Sequence, residues 1–222
     1  MFQEMLNGSI AVLTRPSVST FEEHEKNNLG WALIYVSIAA VIVGLISAAL
    51  APFQAATIQS QINSQLATLP PEQREVAEEV LRNFEQFGLL SLSGQPNVIG
   101  ALFSSLLTTL IGFLIGLGIY WLLGRAFGGT GSFGELAYDF ALFNVPLTLI
   151  GVVLNFIPLL GALLGLALWV YSIILTYMAL QAGMNLPGNK AILVLLIPLL
   201  IPLLLFGCLC VLLLFGVGAA AN

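Results

Sequence analysis

The chain has 222 residues, of which 59% are hydrophobic and only 8% charged, and its mean hydropathy is +1.01. Soluble domains carry about a quarter charged residues, so this composition excludes a soluble protein. Six basic against eleven acidic side chains give a formal charge of −5. That balance excludes a nucleic-acid-binding protein, which needs a basic surface. The sequence therefore predicts an all-α integral membrane protein, a bundle of five transmembrane helices.

Residues 1–29 form a polar arm before the first apolar run. Apolar and small residues recur in it at helical spacing, namely Phe2, Met5, Leu6, Ser9 and Leu13. This pattern predicts a short amphipathic helix that lies in the membrane interface on the cytoplasmic side. Arg15-Pro16 ends that helix, and Ser19 with Glu22 predicts a capping box that starts the next one.

Residues 30–217 are predicted to form the membrane domain, and residues 218–222 a short tail. The 50 residues between Asp139 and Lys190 contain no Asp, Glu, Lys, Arg or His. One crossing takes roughly 20 residues, so this interval holds two crossings, joined by a tight turn at Pro158. The five predicted transmembrane helices are 30–51, 98–123, 136–157, 159–182 and 191–217. Two Gly-x-x-x-Gly patterns, 112–116 and 161–165, predict close helix contacts.

The segment 53–97, between the first and second crossings, is predicted to be an extracytoplasmic loop. Pro70-Pro71 starts an amphipathic helix in it that reaches about Phe87. Between Glu72 and Glu85 the loop carries five acids and two bases, a net charge of −3. We expect this acidic helix to cover the ends of the transmembrane helices, because anionic lipid would repel it.

Basic residues near the helix ends predict the orientation. With the amino terminus inside, the cytoplasmic segments hold four bases (Arg15, Lys26, Arg125, Lys190) and the outer segments hold two (Arg74, Arg82). This excess predicts a multi-pass protein of the plasma (inner) membrane, with a cytoplasmic amino terminus and an extracytoplasmic carboxyl terminus.

A glycine-rich turn and two carboxylates precede the third predicted helix. Glu135 and Asp139 lie four residues apart, so both fall on one helix face. Pro146 lacks an N–H and leaves the carbonyl of Leu142 free one turn deeper than Asp139. The pattern allows a clasp in which Arg125 pairs with the two acids, or a polar notch that binds a cation or proton. The clasp is favoured, because Asp139 lies only about one turn below the interface.

The sequence predicts no enzyme, cofactor or metal site. It contains neither Gly-x-Ser-x-Gly nor His-Glu-x-x-His, and the glycine turn at 128–134 lacks the Gly-Lys-Ser/Thr ending of a phosphate loop. His24 has no second ligand nearby in the sequence. Cys208 and Cys210 lie two apart on a predicted helix, which places them about 200° apart around its axis.

An ordered set of loose motifs covers nearly the whole chain. It comprises Arg15-Pro16-Ser-x-x-x-Phe21, Gly128-Gly129-Thr-Gly131-Ser-Phe-Gly134, Asn144-Val-Pro146, Ile157-Pro158, Trp169 and Asn189-Lys190-Ala191. In this set the chain resembles the prokaryotic Yip1-domain membrane proteins. The resemblance implies a five-helix bundle with a cytoplasmic amino terminus. Eukaryotic relatives bind Rab-type GTPases through a longer arm and an Asp-Leu-Tyr-Gly-Pro motif that is absent here, so GTPase binding is doubtful.

Two functions follow as expectations. The first is a non-enzymatic membrane organiser or scaffold of the Yip1 type, whose partners are the lipid bilayer and other membrane proteins or further copies of itself. The alternative is a small ion or proton channel or transporter that uses the Asp139 notch. In that alternative the fifth helix bends at Pro198 and Pro202, each of which removes a helical hydrogen bond.

Overall fold

The computed structural model describes residues 2–86, 98–154 and 158–200, which are helical and contain no β-strand. The all-α prediction is confirmed for these residues. In chain order the helices are α1 (Phe2–Thr14), α2 (Val18–His24), α3 (Leu29–Thr68), α4 (Pro71–Gln86), α5 (Val98–Ala126), α6 (Phe133–Leu154), α7 (Pro158–Met184) and α8 (Gly188–Leu200).

Four of these helices are long and apolar enough to cross a membrane. The candidate spans are Leu29–Ala49, Leu102–Ala126, Phe133–Leu154 and Gly161–Met184. They correspond to the first four predicted crossings, with bounds that differ by a few residues. Only the first part of the predicted fifth crossing, 191–217, lies within the described residues, where it belongs to the shorter apolar helix α8. The rest of this prediction lies outside the described residues.

The predicted arm contains two helices, and one predicted cap is wrong. Helix α2 begins at Val18, not after Ser19, because Ser17 is its N-cap and accepts a hydrogen bond from Thr20 N at 3.1 Å. The backbone of Ser17 is extended, with φ −156°. An extended backbone is typical of an N-cap residue, and it lets the Ser17 hydroxyl accept the hydrogen bond from the first turn of the helix.

Helix α3 extends beyond the predicted first crossing, 30–51, and continues through Pro52 to Thr68. The chain then turns at Pro70 into α4, which begins at Pro71 as the sequence predicts. Arg74 joins the two helices: its Nε donates to Leu66 O at 2.9 Å and its Nη2 to Ala67 O at 3.2 Å. A guanidinium thus satisfies carbonyls that the end of α3 leaves unpaired.

The chain divides into two compact units, Met1–Tyr35 with Gly112–Asn222, and Val36–Ile111. Inside the second unit, Ser105 Oγ donates to Ala40 O at 2.9 Å, and Gly44 lies against Leu102 and Ser105. The close contact predicted for 112–116 is not seen among the described residues, because nothing lies within 4 Å of a Cβ added at Gly112 or Gly116. In the pattern 161–165, Gly165 is likewise open, whereas Gly161 is buried.

The core of the first unit is the first half of α6. Eight consecutive residues, 136–143, are buried, so this stretch has no face toward solvent or lipid. Helix α7 covers one side. The arm covers another, where the Phe21 ring meets the Phe143 ring edge-on at 6.2 Å between centroids. Burial on all sides of a helix is typical of a central element, and here it sets the surroundings of Asp139.

Candidate functional site

The glycine turn between α5 and α6 has a fixed backbone. Gly128 has φ +90°, a left-handed conformation that favours glycine. Its N–H donates to Arg125 O at 3.0 Å, and Gly129 N–H donates to Gly124 O at 2.8 Å. These two bonds form a Schellman motif, which ends α5 and satisfies its last carbonyls.

The same turn is docked on the end of α7. Thr130 N donates to Met184 O at 3.0 Å. Gly131 packs directly on the carbonyl of Gly183, and an added Cβ at Gly129 would lie 2.9 Å from Gly124 O. Side chains do not fit at these two glycines, so the sequence of the turn is dictated by contact between backbones.

Glu135 is occupied by a capping box at the start of α6. Ser132 N donates to Glu135 Oε2 at 2.7 Å, and Glu135 N donates to Ser132 Oγ at 3.1 Å. The reciprocal pair satisfies two N–H groups that a helix start leaves unpaired. The Glu135 carboxylate is thereby bound to the backbone N–H of Ser132 at the start of its own helix.

Arg125 and Lys190 both lie at the glycine turn and both are exposed. The Arg125 guanidinium stands over the Trp121 ring, 5.4 Å from its centroid, and Nη1 lies 3.5 Å from Gly129 O. Lys190 Nζ lies 3.5 Å from the position of an added Cβ at Gly128. The structure therefore brings these two bases to one turn.

Asp139 is fully buried, with 0% of its surface exposed. Neither carboxylate oxygen has a hydrogen-bond partner among the described residues, so neither accepts a bond from Arg125. Gly183 faces the carboxylate from α7, where an added Cβ would lie 2.8 Å from Oδ2. The arm and α7 enclose this part of α6, so Asp139 is surrounded by protein. The structure does not bring the predicted clasp partners together.

The described charges that act on Asp139 are themselves carboxylates, Glu25 from the arm and Glu135. Burial raises the pKa of Glu25 above its usual range, and the nearby charges of Glu135 and Glu22 raise it further. Lys26 lowers the pKa of Glu4 through a contact of 3.1 Å, but it does so at the exposed side of the arm. Asp139 is left in a site of negative potential without a base beside it.

Pro146 lies inside α6, half-buried, as the sequence predicts. The Leu142 side chain one turn before it is buried, and its Cδ2 lies 3.1 Å from the position of an added Cβ at Gly8 of α1. The arm therefore covers the predicted polar notch between Asp139 and Pro146.

Comparison with known families gives one match, and it covers most of the chain. A family model described as the Yip1 domain matches residues 10–209, which is 200 of the 222 residues. The chain belongs to the Yip1 domain family. The resemblance seen in the sequence is confirmed at this level. Comparisons with curated proteins and with solved structures find no match.

The matched span includes the glycine turn, Asp139 and Gly183, so the site described above lies within the Yip1 domain. Other motif residues of the domain lie away from this site. Trp169 is exposed on α7, and Arg15 and Pro16 are exposed at the corner between α1 and α2. There, the Arg15 carbonyl accepts a hydrogen bond from Thr20 Oγ1 at 2.9 Å.

Three residues of the site were not predicted. The role of Ser132 is visible in the sequence, because Ser-x-x-Glu before an apolar run is the capping-box pattern. Gly183 and Tyr171 have no such pattern. Tyr171 Oη donates to Leu13 O at 2.6 Å across 158 residues of sequence, and no local pattern encodes that contact. Within the described part of the chain, no group of three or more His, Cys, Asp or Glu side chains is placed to hold a metal ion.

Proposed function

We propose that this Yip1-domain protein is a non-enzymatic membrane organiser whose arm is inserted into one leaflet of the bilayer. The observation that carries the proposal is an apolar stripe on α1 that is about half exposed. Phe2, Leu6 and Ile10 are 46%, 43% and 55% exposed, although the helix is already packed on the bundle through its neighbouring face. The apolar sector of α1 is therefore wider than its contact with protein requires.

The two apolar faces of α1 adjoin each other. Met5, Gly8, Ser9 and Val12 are buried against the bundle. Phe2, Leu6 and Ile10 follow around the helix, and Gln3, Glu4 and Asn7 form the polar side. A helix with one broad apolar sector and one polar side is typical of a helix that lies in the bilayer along its surface.

The contacts of the arm support a position below the helix ends. Ser9 and Tyr35 share a hydrogen bond of 3.1 Å, and Tyr35 is six residues inside α3, about 9 Å along the helix. Leu13 O accepts a hydrogen bond from Tyr171, which lies thirteen residues before Met184, about 20 Å along α7. One leaflet with its headgroups is about 20–22 Å thick, so these depths, counted from the helix ends, fit within one leaflet.

The exposed stripe also continues the apolar surface of two candidate spans. The Phe2 ring packs edge-on against Tyr35 at 5.9 Å, and Ile34, the residue before Tyr35 in α3, is exposed. At the other end of α1, Tyr171 is flanked by exposed Val170 and Ile174 of α7. Acyl chains that contact those residues of α3 and α7 reach the stripe as well.

Insertion into a single leaflet predicts a preference for curved membrane. We would reconstitute the full chain in giant vesicles, pull membrane tubes and measure enrichment in the tube. The wild type should be enriched, and L6Q/I10Q should lose the enrichment. The control N7A/Q3A alters the same helix on its polar side and should behave as the wild type. Equal enrichment of L6Q/I10Q and wild type would overturn the proposal.

We further propose that the arm and the glycine turn are cytoplasmic, that the carboxyl terminus is extracytoplasmic, and that the protein lies in the plasma (inner) membrane. The support is the excess of bases Arg15, Lys26, Arg125 and Lys190 on that side. An impermeant thiol reagent should label N83C from outside intact cells and should not label T130C. The reverse pattern would invert the orientation.

Asp139 favours a second candidate function, a proton or monovalent-cation site. Burial of an unpaired charge costs far more than a protein's net stability, so this carboxyl requires a proton or a cation. Among the described residues neither oxygen has a hydrogen-bond partner, and Oδ2 faces Gly183, so the carboxyl group can bind a proton or a cation. Buried acids of this kind in membrane helices are typical of proton and ion pathways.

Flux measurements test this second candidate. Reconstituted vesicles should show proton or potassium flux with the wild type and none with D139N. The control E135Q removes a nearby charge and keeps the capping box, since Gln can serve in it, and it should retain flux. Vesicles that are equally tight with wild type and D139N would exclude the transport function and leave the organiser function standing.

A further inference from the structure

The six bases of the chain are not spread evenly through the fold. Lys26 pairs with Glu4, and Arg74 binds backbone carbonyls at the end of α3. Arg15 and Arg82 lie on separate elements. Arg125 and Lys190, 65 residues apart in sequence, come to the same glycine turn from the end of α5 and the start of α8.

This basic turn, Arg125 with Gly128, Gly129 and Lys190, has free donors. Across residues 2–86, 98–154 and 158–200, neither basic side chain forms an ion pair with a carboxylate. The acid that is closest in sequence, Glu135, is bound to Ser132 N. The guanidinium is stacked on Trp121, which orders it, and Nη1 makes one long hydrogen bond of 3.5 Å to Gly129 O, so other N–H groups of the side chain remain for a ligand.

The turn also has a fixed shape and a defined location. Thr130 N–H on Met184 O and the close packing of Gly129 and Gly131 hold α5 and the start of α8 at one distance. Arg125 lies in the last turn of the candidate span Leu102–Ala126, at the level where lipid headgroups begin. Trp121, one turn deeper, is a residue type typical of that boundary.

We propose that the basic turn binds the phosphate of an anionic phospholipid headgroup. The phosphate oxygens accept N–H bonds from the Arg125 guanidinium in a two-pronged arrangement and from Lys190 Nζ as a point charge. The acyl chains of the same lipid then extend along α5. This inference rests on the proposed organiser function, for which it names a lipid class, but it concerns a different surface from the exposed stripe of α1.

The test uses the full chain purified in mild detergent and titrated with phosphatidylglycerol or phosphatidylcholine, with retained lipid counted by native mass spectrometry. A base near an anionic lipid surface is worth about 1 kcal/mol, which corresponds to about fivefold in affinity. R125Q and K190Q should each lower the preference for phosphatidylglycerol about fivefold, and the double variant about 25-fold. The control R82Q removes an exposed base elsewhere and should retain the preference.

Each outcome decides the proposal. An unchanged preference in R125Q/K190Q overturns it. Displacement of the lipid by excess inorganic phosphate overturns the lipid assignment, because the turn then binds any soluble phosphate. If R125Q does not fold, K190Q and R125K decide: the first should lose preference and the second should keep most of it. Equal tube enrichment of L6Q/I10Q and wild type would overturn the organiser function and leave this lipid measurement unchanged, so the two failures are distinguishable.

Discussion

The glycine turn and the Asp139 site are neighbouring regions with opposite polar chemistry. In the turn, the side chains of Ser132 and Glu135 each accept a hydrogen bond from the other residue's backbone N–H, and Thr130 N–H donates to Met184 O. One helical turn beyond Glu135, Asp139 is fully buried and neither of its oxygens has a partner among the described residues. Satisfied polar groups stabilise a fold, whereas an unsatisfied buried acid destabilises it. The polar groups of the turn therefore stabilise the fold. Asp139 destabilises it, and a role in function would explain its presence.

The largest expected effect tests the turn. G131A forces a methyl group into the Gly183 carbonyl, and overpacking against backbone should lower the free energy of unfolding by about 3 kcal/mol or more. The control G165A has nothing within 4 Å and should be neutral or stabilising, since Ala favours helix over Gly. Thermal unfolding in detergent measures both. Equal stability of G131A and wild type would show that the turn is not docked as described.

The second prediction concerns Asp139 itself. Because the buried acid must take up a proton or a cation at pH 7, whereas Asn is already neutral, D139N should raise the free energy of unfolding at pH 7 by about 1–2 kcal/mol. If the transport function holds, the same variant is expected to abolish flux. It would then gain stability and lose activity, a trade-off that is common at functional sites. A clear loss of stability in D139N would instead reveal a stabilising partner of the carboxylate.

The sequence predicts some of these features and not others, for physical reasons. The four spans follow from composition, because a helix of about 20 apolar residues is long enough to cross the hydrocarbon core of a bilayer and is stable there. Ser132 and Glu135 are local, three residues apart, and their motif is visible in the sequence. The surroundings of Asp139 are set by Leu13 on Tyr171 and Phe21 on Phe143, contacts between distant segments that periodicity cannot encode.

The sequence does not predict that protein encloses Asp139. The depth of Asp139 is counted from the end of its own helix, and that count takes no account of the arm. The arm encloses that half of α6, so burial there is by protein. A charged arm that packs against a membrane helix leaves no mark in the hydropathy of the helix it covers.

A smaller effect is expected at Glu25, the arm acid that acts on Asp139. Its raised pKa means that the folded state holds a proton more tightly than the unfolded state, so stability falls as pH rises above about 4.5, its unperturbed value. E25Q should raise the melting temperature at pH 7 by about 1–2 °C, and the gain should vanish in acid. The control E23Q removes an exposed charge from the same helix. A gain that grows as pH falls would contradict the assignment.

The smallest expected effect is a coupling close to zero between Arg125 and Asp139. A clasp would couple them by more than about 1 kcal/mol, whereas residues without a shared contact add within about 0.5 kcal/mol. The single variants R125Q and D139N and their combination form the cycle, measured by thermal unfolding. Strong coupling would restore the clasp and remove the contrast between the two regions.

The central claim, that the arm is inserted into one leaflet, is tested most directly by the depth of α1 in a bilayer. Nitroxide labels at I10C and N7C, in a chain whose two cysteines are replaced by serine, report contact with oxygen in acyl chains and with a water-soluble nickel complex. The account predicts that the label at position 10 is accessible to oxygen and protected from nickel, and that the label at position 7 shows the opposite. Equal exposure of both labels to nickel would place the arm in water and contradict the claim.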